Sequence, residues 1–235
     1  MNVRLFELFT SIEGEGLFCG TKTLFVRLAG CPFTCFYCDT LDALPLDSGN
    51  EYSIEQAQHM IDDSLQSETF KVNFTGGDPL VQHKAVAILA KYVQSKNIKT
   101  YLESSCFDSE KFAHILPFID YSKIEFKTID SEFVKHDNGV MINTALKCLE
   151  LSLASKATTF IKIVVSAHTR KETIKDLTVK IFSLDTEKLV GIFIQPTFGI
   201  EEPSLESLVE FYDIIHPFFS QVRIIPQLHK FMHAP

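Results

Sequence analysis

The sequence lacks tryptophan, an excess of positive charge, and any apolar run near the roughly 18 residues of a membrane-spanning helix. Lysine and arginine number 22 against 30 aspartate and glutamate residues, which gives a net charge of −8. This acidic balance disfavours nucleic acid and anionic membranes as partners, so we expect neither. Glu7 stands where a signal peptide needs its apolar centre, which predicts a cytoplasmic protein.

Cysteine is also scarce, and six cysteines in 235 residues do not make a disulfide scaffold. No low-complexity tract, internal repeat or interdomain linker interrupts the chain. We therefore expect residues 1–235 to form a single domain, which is long enough to bury a sizeable core.

Strand-like runs alternate with helical patterns along the chain, which is typical of parallel strands joined by crossover helices. Runs such as Phe160–Val165 are almost continuously apolar, as in strands covered on both faces. There are too few units for a closed eight-fold barrel, which leaves an open or partial barrel or a doubly wound sheet. The seven predicted strands lie near Thr23–Leu28, Phe70–Thr75, Lys99–Glu103, Lys123–Lys127, Thr159–Val165, Gly191–Gln195 and Gln221–Ile225.

The first helix has the clearest start signal. Ser53 and Gln56 have the spacing of a capping box. Ile54, Ala57 and Ile61 then follow at three- and four-residue intervals, which places them on one helix face. The other helices are predicted at about His83–Ser95, Ser109–Leu116, Thr144–Ala154, Lys171–Leu184 and Ser204–Ile215.

Polar and glycine-rich segments follow the predicted strands, so we expect one site at the carboxyl ends of those strands. The first strand leads into Cys31, Cys35 and Cys38, spaced C-x3-C-x2-C. A structural zinc site needs a fourth ligand, which here would be Cys19 or a histidine. A four-iron cluster takes one thiolate per iron, so three thiolates leave one iron open. The spacing alone leaves zinc, an iron–sulfur cluster and chance clustering of buried cysteines as alternatives, and also redox-active thiols, although C-x3-C lacks the usual C-x2-C geometry of a redox dithiol.

The cysteine loop, with Tyr37 before its last cysteine, and the turn Gly76-Gly77-Asp78-Pro79 resemble the radical S-adenosylmethionine (SAM) superfamily. The resemblance implies an α/β fold, a partial βα barrel of about six to seven parallel strands. It implies a [4Fe-4S] cluster on Cys31, Cys35 and Cys38, whose open iron chelates SAM and whose electron cleaves it to a 5′-deoxyadenosyl radical. The glycine pair would expose backbone groups to the SAM ammonium group.

Three further segments are similar to the family of 7-carboxy-7-deazaguanine synthases: Ser11–Gly16, Phe25–Cys31 and Cys38–Thr40. This resemblance covers nearly the whole chain. It implies conversion of 6-carboxy-5,6,7,8-tetrahydropterin to 7-carboxy-7-deazaguanine with loss of ammonia, a step toward queuosine or archaeosine in tRNA. It also implies Mg2+, a homodimer, and an electron donor such as flavodoxin or ferredoxin.

The resemblance assigns roles to individual residues. Thr40 is expected to bind Mg2+, and no catalytic side chain is expected because the cofactor generates the radical. The expected substrate-binding residues are Ile12, Glu13, Gly14, Arg27, Thr75, His229 and the carboxylate of Pro235. The expected SAM-binding residues are Tyr37, Cys38, Asp39, Gly77, Glu125, Phe126, Lys127, Gln195, Pro196, Thr197 and Phe198.

Glu13 and Asp78 depart from the family pattern, which usually has Gln and Glu at these positions. The change at Glu13 is mild if the contact is made by backbone, but it removes a donor if the contact is made by the side chain. Arg27 suits a substrate carboxylate as a bidentate clamp, and a strand-end ion pair is its alternative role. A solvated loop acid is the alternative role of Glu15.

The tail 226–235 follows the last predicted strand directly, so we expect it to close the substrate site, anchored by Leu228, Phe231 and Met232. Two other functions share part of the pattern. A glycyl-radical-activating radical SAM enzyme would share the cysteine loop, but it has no use for the segment Glu13–Gly16. A zinc-binding structural or interaction module would hold zinc and no iron.

Overall fold

The computed structural model describes residues 1–128 and 138–234. Within this part of the chain, nine strands form one sheet. The strands are β1 Asn2–Ile12, β2 Lys22–Leu28, β3 Asn50–Ser53, β4 Lys71–Gly76, β5 Lys99–Ser104, β6 Tyr121–Lys127, β7 Thr158–Val165, β8 Leu189–Pro196 and β9 Val222–Ile224. The helices are α1 Ile54–Ser64, α2 His83–Ser95, α3 Ser109–Ile115, α4 Asn138–Ala154, α5 Lys171–Ile181, α6 Leu205–Ile215 and α7 Leu228–Phe231.

The strand order is β3-β1-β2-β4-β5-β6-β7-β8-β9, and all neighbours from β2 to β9 are parallel. These are the seven strands that the sequence predicts. The strands β3 and β9 are the two edges, so the described sheet is an incomplete barrel rather than a closed one. The expected fold class is confirmed, and it brings the carboxyl ends of seven strands to one rim.

The sequence does not predict β1, which pairs antiparallel with both β2 and β3. A register shift between Leu5 and Glu7 interrupts the alternation that identifies a strand. Val3 and Leu5 are buried, but the residues after Leu5 are only half-buried, so no period-two pattern extends along the strand. The short strand β3 is polar and was also missed.

The two faces of the sheet differ in character. Ile124 and Phe126 of β6 and Ile161 of β7 belong to the hydrophobic core. On the opposite face, Glu125 of β6 lies beside Lys162 of β7 in the register. The expectation that a strand such as β7 is covered on both faces is confirmed, since every residue of β7 after Thr158 is buried, but the inner face carries buried charge.

The capping box at the start of α1 is confirmed: the Gln56 N–H donates to Ser53 Oγ at 3.2 Å, and the Ser53 N–H donates to Gln56 Oε1 at 2.8 Å. Within the described residues, α4 already includes Asn138, earlier than the predicted start at Thr144. Among the described residues, no helix combines the length and apolar character needed to cross a membrane.

Candidate active site

A cavity of about 430 Å³ opens at the carboxyl ends of the parallel strands, where the sequence predicts the site. Gly14, Phe126 and Phe198 do not line it, and Phe126 packs in the core instead. Pro235 lies outside the described residues. The predicted site residues that do line the cavity are Ile12, Glu13, Arg27, Cys31, Cys35, Tyr37, Cys38, Asp39, Thr40, Thr75, Gly77, Glu125, Lys127, Gln195, Pro196, Thr197 and His229.

The cysteine loop 31–38 follows β2, and its start is fixed by backbone hydrogen bonds. The Gly30 N–H donates to Ala43 O at 2.9 Å, and the Cys31 N–H donates to Leu44 O at 3.0 Å. Phe33 packs edge-on against Phe107 and surrounds the thiols with apolar atoms. Burial, aided by the charge of Asp78, raises the pKa of Cys31 to about 12. A bound metal would have to displace these protons, because a ligating thiol is deprotonated.

The three thiols together do not reach the close spacing that a single zinc ion requires. A tetrahedral zinc site with Zn–S bonds of about 2.3 Å holds its sulfurs about 3.8 Å apart. Among residues 1–128 and 138–234, the group whose ligand atoms all lie within 4.8 Å of one another is Glu15, Asp39 and His229, not the cysteines. One thiolate on each iron of a four-iron cluster requires wider separations than one zinc ion does.

The glycine turn after β4 packs directly under the cysteine loop. A Cβ atom on Gly77 would lie 2.2 Å from Gly30 O, so only glycine allows the two segments to approach. Asp78 fixes the turn to the end of β5, since it accepts from the Ser105 N–H at 2.8 Å and from Ser104 Oγ at 3.0 Å. Both carboxylate oxygens of Asp78 therefore accept hydrogen bonds from within the protein.

Arg27 at the end of β2 makes the strand-end ion pair and also faces the cavity, while its binding of a substrate carboxylate stays a prediction. Its Nε donates to Glu7 Oε1 at 2.6 Å, and its guanidinium lies over the Phe9 ring, 5.4 Å from the centroid. Arg27 nevertheless lines the cavity, and its register partner Thr75 lines it too. An ion pair therefore orients a guanidinium on the cavity wall.

Glu15 is the centre of a buried ion network and not a solvated loop acid. Its Oε2 lies 2.6 Å from Lys162 Nζ and 3.3 Å from Lys123 Nζ. Lys123 also lies 3.0 Å from Glu103, and Lys162 lies 2.8 Å from Glu125. The sequence reasoning missed Lys123, Lys162 and Glu15 as site residues, and it placed Glu103 only among the polar residues that follow the strands. The signal was present in β6, where three charged residues alternate inside a buried strand.

The network stabilises its own charged state. Burial would raise the pKa of Glu15, but Lys162 and Lys123 hold that pKa well below its usual range. Burial would lower the pKa of Lys123, but Glu103, Glu15 and Glu125 raise that pKa well above its usual range. The cavity wall therefore stays charged around neutral pH.

Glu13 is buried deeper than this network. Its Oε2 accepts from Lys71 Nζ at 2.8 Å and from Asn73 Nδ2 at 3.2 Å. Burial, followed by the charge of Glu103, raises the pKa of Glu13 to about 7 against the opposing effect of Lys71. Lys71 and Asn73 are two more residues that sequence reasoning missed.

The tail crosses from the last strand to the cysteine loop. Gln227 Nε2 donates to Glu15 Oε1 and to Asp39 Oδ2, each at 3.1 Å. His229 Nε2 lies 3.4 Å from Asp39 Oδ2, and the Leu228 N–H donates to Gly14 O at 2.9 Å. The described part of the tail therefore lines one side of the cavity, and its closing of the substrate site stays a prediction.

The predicted anchors of the tail are only partly correct. Leu228 is half-buried, but Phe231 is 58% exposed and Met232 is 50% exposed. Phe231 contacts Phe198 edge-on, with ring centroids 4.9 Å apart, and not the core. Polar contacts of Gln227, rather than apolar anchors, hold the tail in place.

Known proteins resemble this chain in sequence and in fold. The family described as a 4Fe-4S single cluster domain matches residues 12–148. A 7-carboxy-7-deazaguanine synthase of Archaeoglobus fulgidus is 33% identical over 242 residues, which cover 99% of each chain. The crystal structure of QueE from Escherichia coli has a TM-score of 0.68 at 20% identity, covering 97% of this chain and 95% of that one. A domain of pyruvate-formate lyase-activating enzyme from Bacteroides vulgatus has a TM-score of 0.54 at 17% identity. The match covers 66% of this chain and 98% of that domain.

Proposed function

The chain belongs to the family of 7-carboxy-7-deazaguanine synthases, which are radical SAM lyases of deazapurine biosynthesis. From this premise we propose a role for each group of residues in the site. We propose that it converts 6-carboxy-5,6,7,8-tetrahydropterin to 7-carboxy-7-deazaguanine with loss of ammonia. The observation that carries the proposal is that the cysteine loop, Arg27 and the tail all line one cavity. A cluster ligand set, an anion-binding side chain and a closing segment are then within reach of one small molecule.

Cys31, Cys35 and Cys38 would hold the [4Fe-4S] cluster. The cluster would supply the one electron that cleaves bound SAM to methionine and the 5′-deoxyadenosyl radical, the species that would take a hydrogen atom from the substrate. The residues proposed to bind SAM through side chain or backbone are Tyr37, Cys38, Asp39, Gly77, Glu125, Lys127, Gln195, Pro196 and Thr197.

Arg27 is proposed to bind the substrate carboxylate, because Glu7 fixes one guanidinium nitrogen and leaves the group on the cavity wall. Ile12, Thr75 and His229, which line the cavity, are proposed to complete the substrate site. The tail would exclude water from the reacting atoms, which keeps a radical reaction free of side products.

Mg2+ is a further proposal. Thr40 lines the cavity beside the cysteine loop, with its Oγ1 4.0 Å from Cys38 Sγ. A hydroxyl with substrate carboxylate oxygens and water suits Mg2+, which prefers oxygen ligands. Turnover is expected to fall in EDTA and to return with Mg2+, and Thr40→Val is expected to weaken this dependence while the iron content stays unchanged.

Anaerobic turnover of the carboxytetrahydropterin tests the function. The wild-type chain is expected to form the deazapurine and to contain about four irons per chain. Cys35→Ala is expected to lose the cluster and all turnover. Cys19→Ala is the matched control, because Cys19 does not line the cavity, and it is expected to keep both. Full activity of Cys35→Ala would contradict the assignment, and zinc without iron would favour a structural zinc module.

The remaining expectations are also proposals: one functional unit over residues 1–235, a homodimer, a flavodoxin or ferredoxin as electron donor, and a cytoplasmic location, where thiol ligands stay reduced. Sedimentation measures the oligomer, and turnover with each purified donor identifies the reductant. A glycyl-radical-activating function is not favoured, because the likeness to an activating enzyme is one of fold.

A further inference from the structure

The strand β1 leaves part of the sheet edge open. The strand β2 pairs with β1 as far as Ile12, whereas β3 pairs only with Asn2–Leu5. Among residues 1–128 and 138–234, no strand lies on the other side of Glu7–Ile12. Every residue of this segment is half-buried. We call Glu7–Ile12 the open edge.

Hydrogen bonds at both ends of the β1–β2 ladder show which backbone groups face outward at the open edge. The Glu13 N–H donates to Thr21 O at 2.7 Å, and backbone groups alternate between the two sides of an antiparallel strand. At the other end, the Ala29 N–H donates to Arg4 O at 3.1 Å, which gives the same alternation once the register shift is counted. The residues whose N–H and C=O point away from β2 are therefore Leu8, Thr10 and Ile12.

These six backbone groups have no hydrogen-bond partner in the described part of the chain. Unpaired edge groups are a template for another strand, and proteins commonly block such edges with lysine or proline. The open edge has neither residue, and Leu8–Ile12 carries no charge. Its one charged residue, Glu7, pairs with Arg27 at 2.6 Å. The open edge is therefore suited to accept an extended strand.

A groove lies beside the start of the open edge. It has a volume of about 290 Å³, and Leu8 of β1, Tyr52 of β3 and Met60 of α1 are among the residues that line it. When a strand adds to a sheet, main-chain hydrogen bonds supply affinity and neighbouring pockets take its side chains. The groove thus offers an added strand a place for an apolar side chain next to Leu8.

We propose that the open edge pairs antiparallel with the open edge of a second copy of this chain, about a twofold axis at Thr10. This register places Thr10 opposite Thr10, and Leu8 opposite Ile12 of the second copy. It satisfies all six outward groups of each chain with six hydrogen bonds, because a twofold interface is complementary to itself. The inference rests on the homodimer included in the proposed function, and it names the surface.

The charge of the molecule favours this surface for a second copy. Two chains of charge −8 repel each other, so a contact between acidic segments would add to the repulsion. The segment Leu8–Ile12 has no charge to add. Apolar Leu8 would instead meet apolar Ile12 beside the groove, and a pair of threonines would face each other at the axis.

Sedimentation equilibrium of the anaerobic, cluster-loaded enzyme tests the pairing. Wild type is expected at twice the 26.6 kDa of one chain. Thr10→Pro removes an outward N–H and leaves the ladder to β2 intact, so the iron content is expected to stay unchanged. Its dimer dissociation constant is expected to rise at least about tenfold, because two of the six hydrogen bonds are lost. Thr10→Val is the matched control: it keeps the N–H and the β-branched shape and is expected to dimerise as wild type does.

A charge swap tests the register without proline. Thr10→Lys and Thr10→Glu keep the N–H, but each places like charges opposite one another at the axis, which destabilises the pairing. Each variant alone is expected to raise the dissociation constant at least about tenfold. An equal mixture of the two is expected to recover the dimer mass, because opposite charges then face each other. A mixture that dissociates as readily as either variant alone would overturn the register.

Iron analysis and turnover separate this inference from the proposed function. A wild-type monomer that holds its cluster and turns over the carboxytetrahydropterin would overturn the inference and leave the function supported. A wild-type dimer that Thr10→Pro and Thr10→Lys leave unchanged would place the interface elsewhere and overturn the inference too. A wild-type dimer that both variants dissociate, but that turns over no pterin, would support the surface and contradict the function.

Discussion

Lys162 is a single buried cation that contacts two buried carboxylates. It is 6% exposed at its side chain and contacts Glu15 at 2.6 Å and Glu125 at 2.8 Å. Removing one partner of a buried pair leaves an uncompensated charge, which costs far more than the loss of a surface ion pair.

We predict that Lys162→Met lowers the free energy of unfolding by about 3 kcal/mol, because it leaves two buried carboxylates short of a cation. Urea unfolding measures the change. The control Lys171→Met, whose ion pair with Glu210 is exposed, is expected to cost less than about 0.5 kcal/mol. Equal losses of unfolding free energy in the two variants would contradict the prediction that Lys162 compensates the charge of two buried carboxylates.

At the scale of elements, β1 and the tail meet across the cavity. The Leu228 N–H donates to Gly14 O, and a Cβ atom on Gly14 would lie 2.1 Å from His229 Nδ1. The segment after β1 therefore packs directly against α7, and only a glycine at position 14 permits this close contact.

We predict that Gly14→Ala raises the substrate KM about tenfold, since the added methyl group displaces His229 and breaks a backbone hydrogen bond. Anaerobic steady-state kinetics measure KM, and iron analysis is expected to show an intact cluster. Adding His229→Ala removes the clash, so the double variant is expected to behave like His229→Ala alone. An unchanged KM in Gly14→Ala would show that the tail does not bear on the substrate.

The elements that the sequence predicts are those with a strong local pattern. The seven parallel strands and the capped start of α1 are regular, and they appear as expected. The strand β1 was missed because its register shift at Leu5 and Glu7 removes the alternation. In the site, the cysteine and glycine motifs are local in sequence and could be found. Lys71 and Lys162 contact glutamates 58 and 147 residues away, so no local pattern points to them.

At the scale of the whole molecule, the buried carboxylates make folding sensitive to acid. Burial would raise the pKa values of Glu15, Glu103 and Glu125, but neighbouring lysines lower all three. Groups with a depressed folded-state pKa contribute stability above the unfolded value, here 4.5, and lose it as the pH falls toward the folded value. Glu13 has the opposite sign, because its raised pKa makes its contribution fall as the pH rises toward 7.

We predict that the free energy of unfolding drops steeply as the pH falls below about 4.5, where the unfolded chain begins to take up protons and the folded network does not. Urea unfolding over a pH series measures the slope. Glu15→Gln is expected to be less stable at pH 7 but to show a shallower acid slope, since one of the three groups is gone. A wild-type slope in Glu15→Gln would contradict this account.

The ion network around Glu15 also bears on how the cavity responds when its charge changes. Its lysine and glutamate groups are fixed by one another, with Lys162 and Lys123 on one oxygen of Glu15 and two glutamine amides on the other. Dipoles that folding has already oriented do not have to turn when an electron or a proton moves nearby. The interior of this barrel therefore has a low reorganisation energy, because the surrounding groups do not have to rearrange when charge moves.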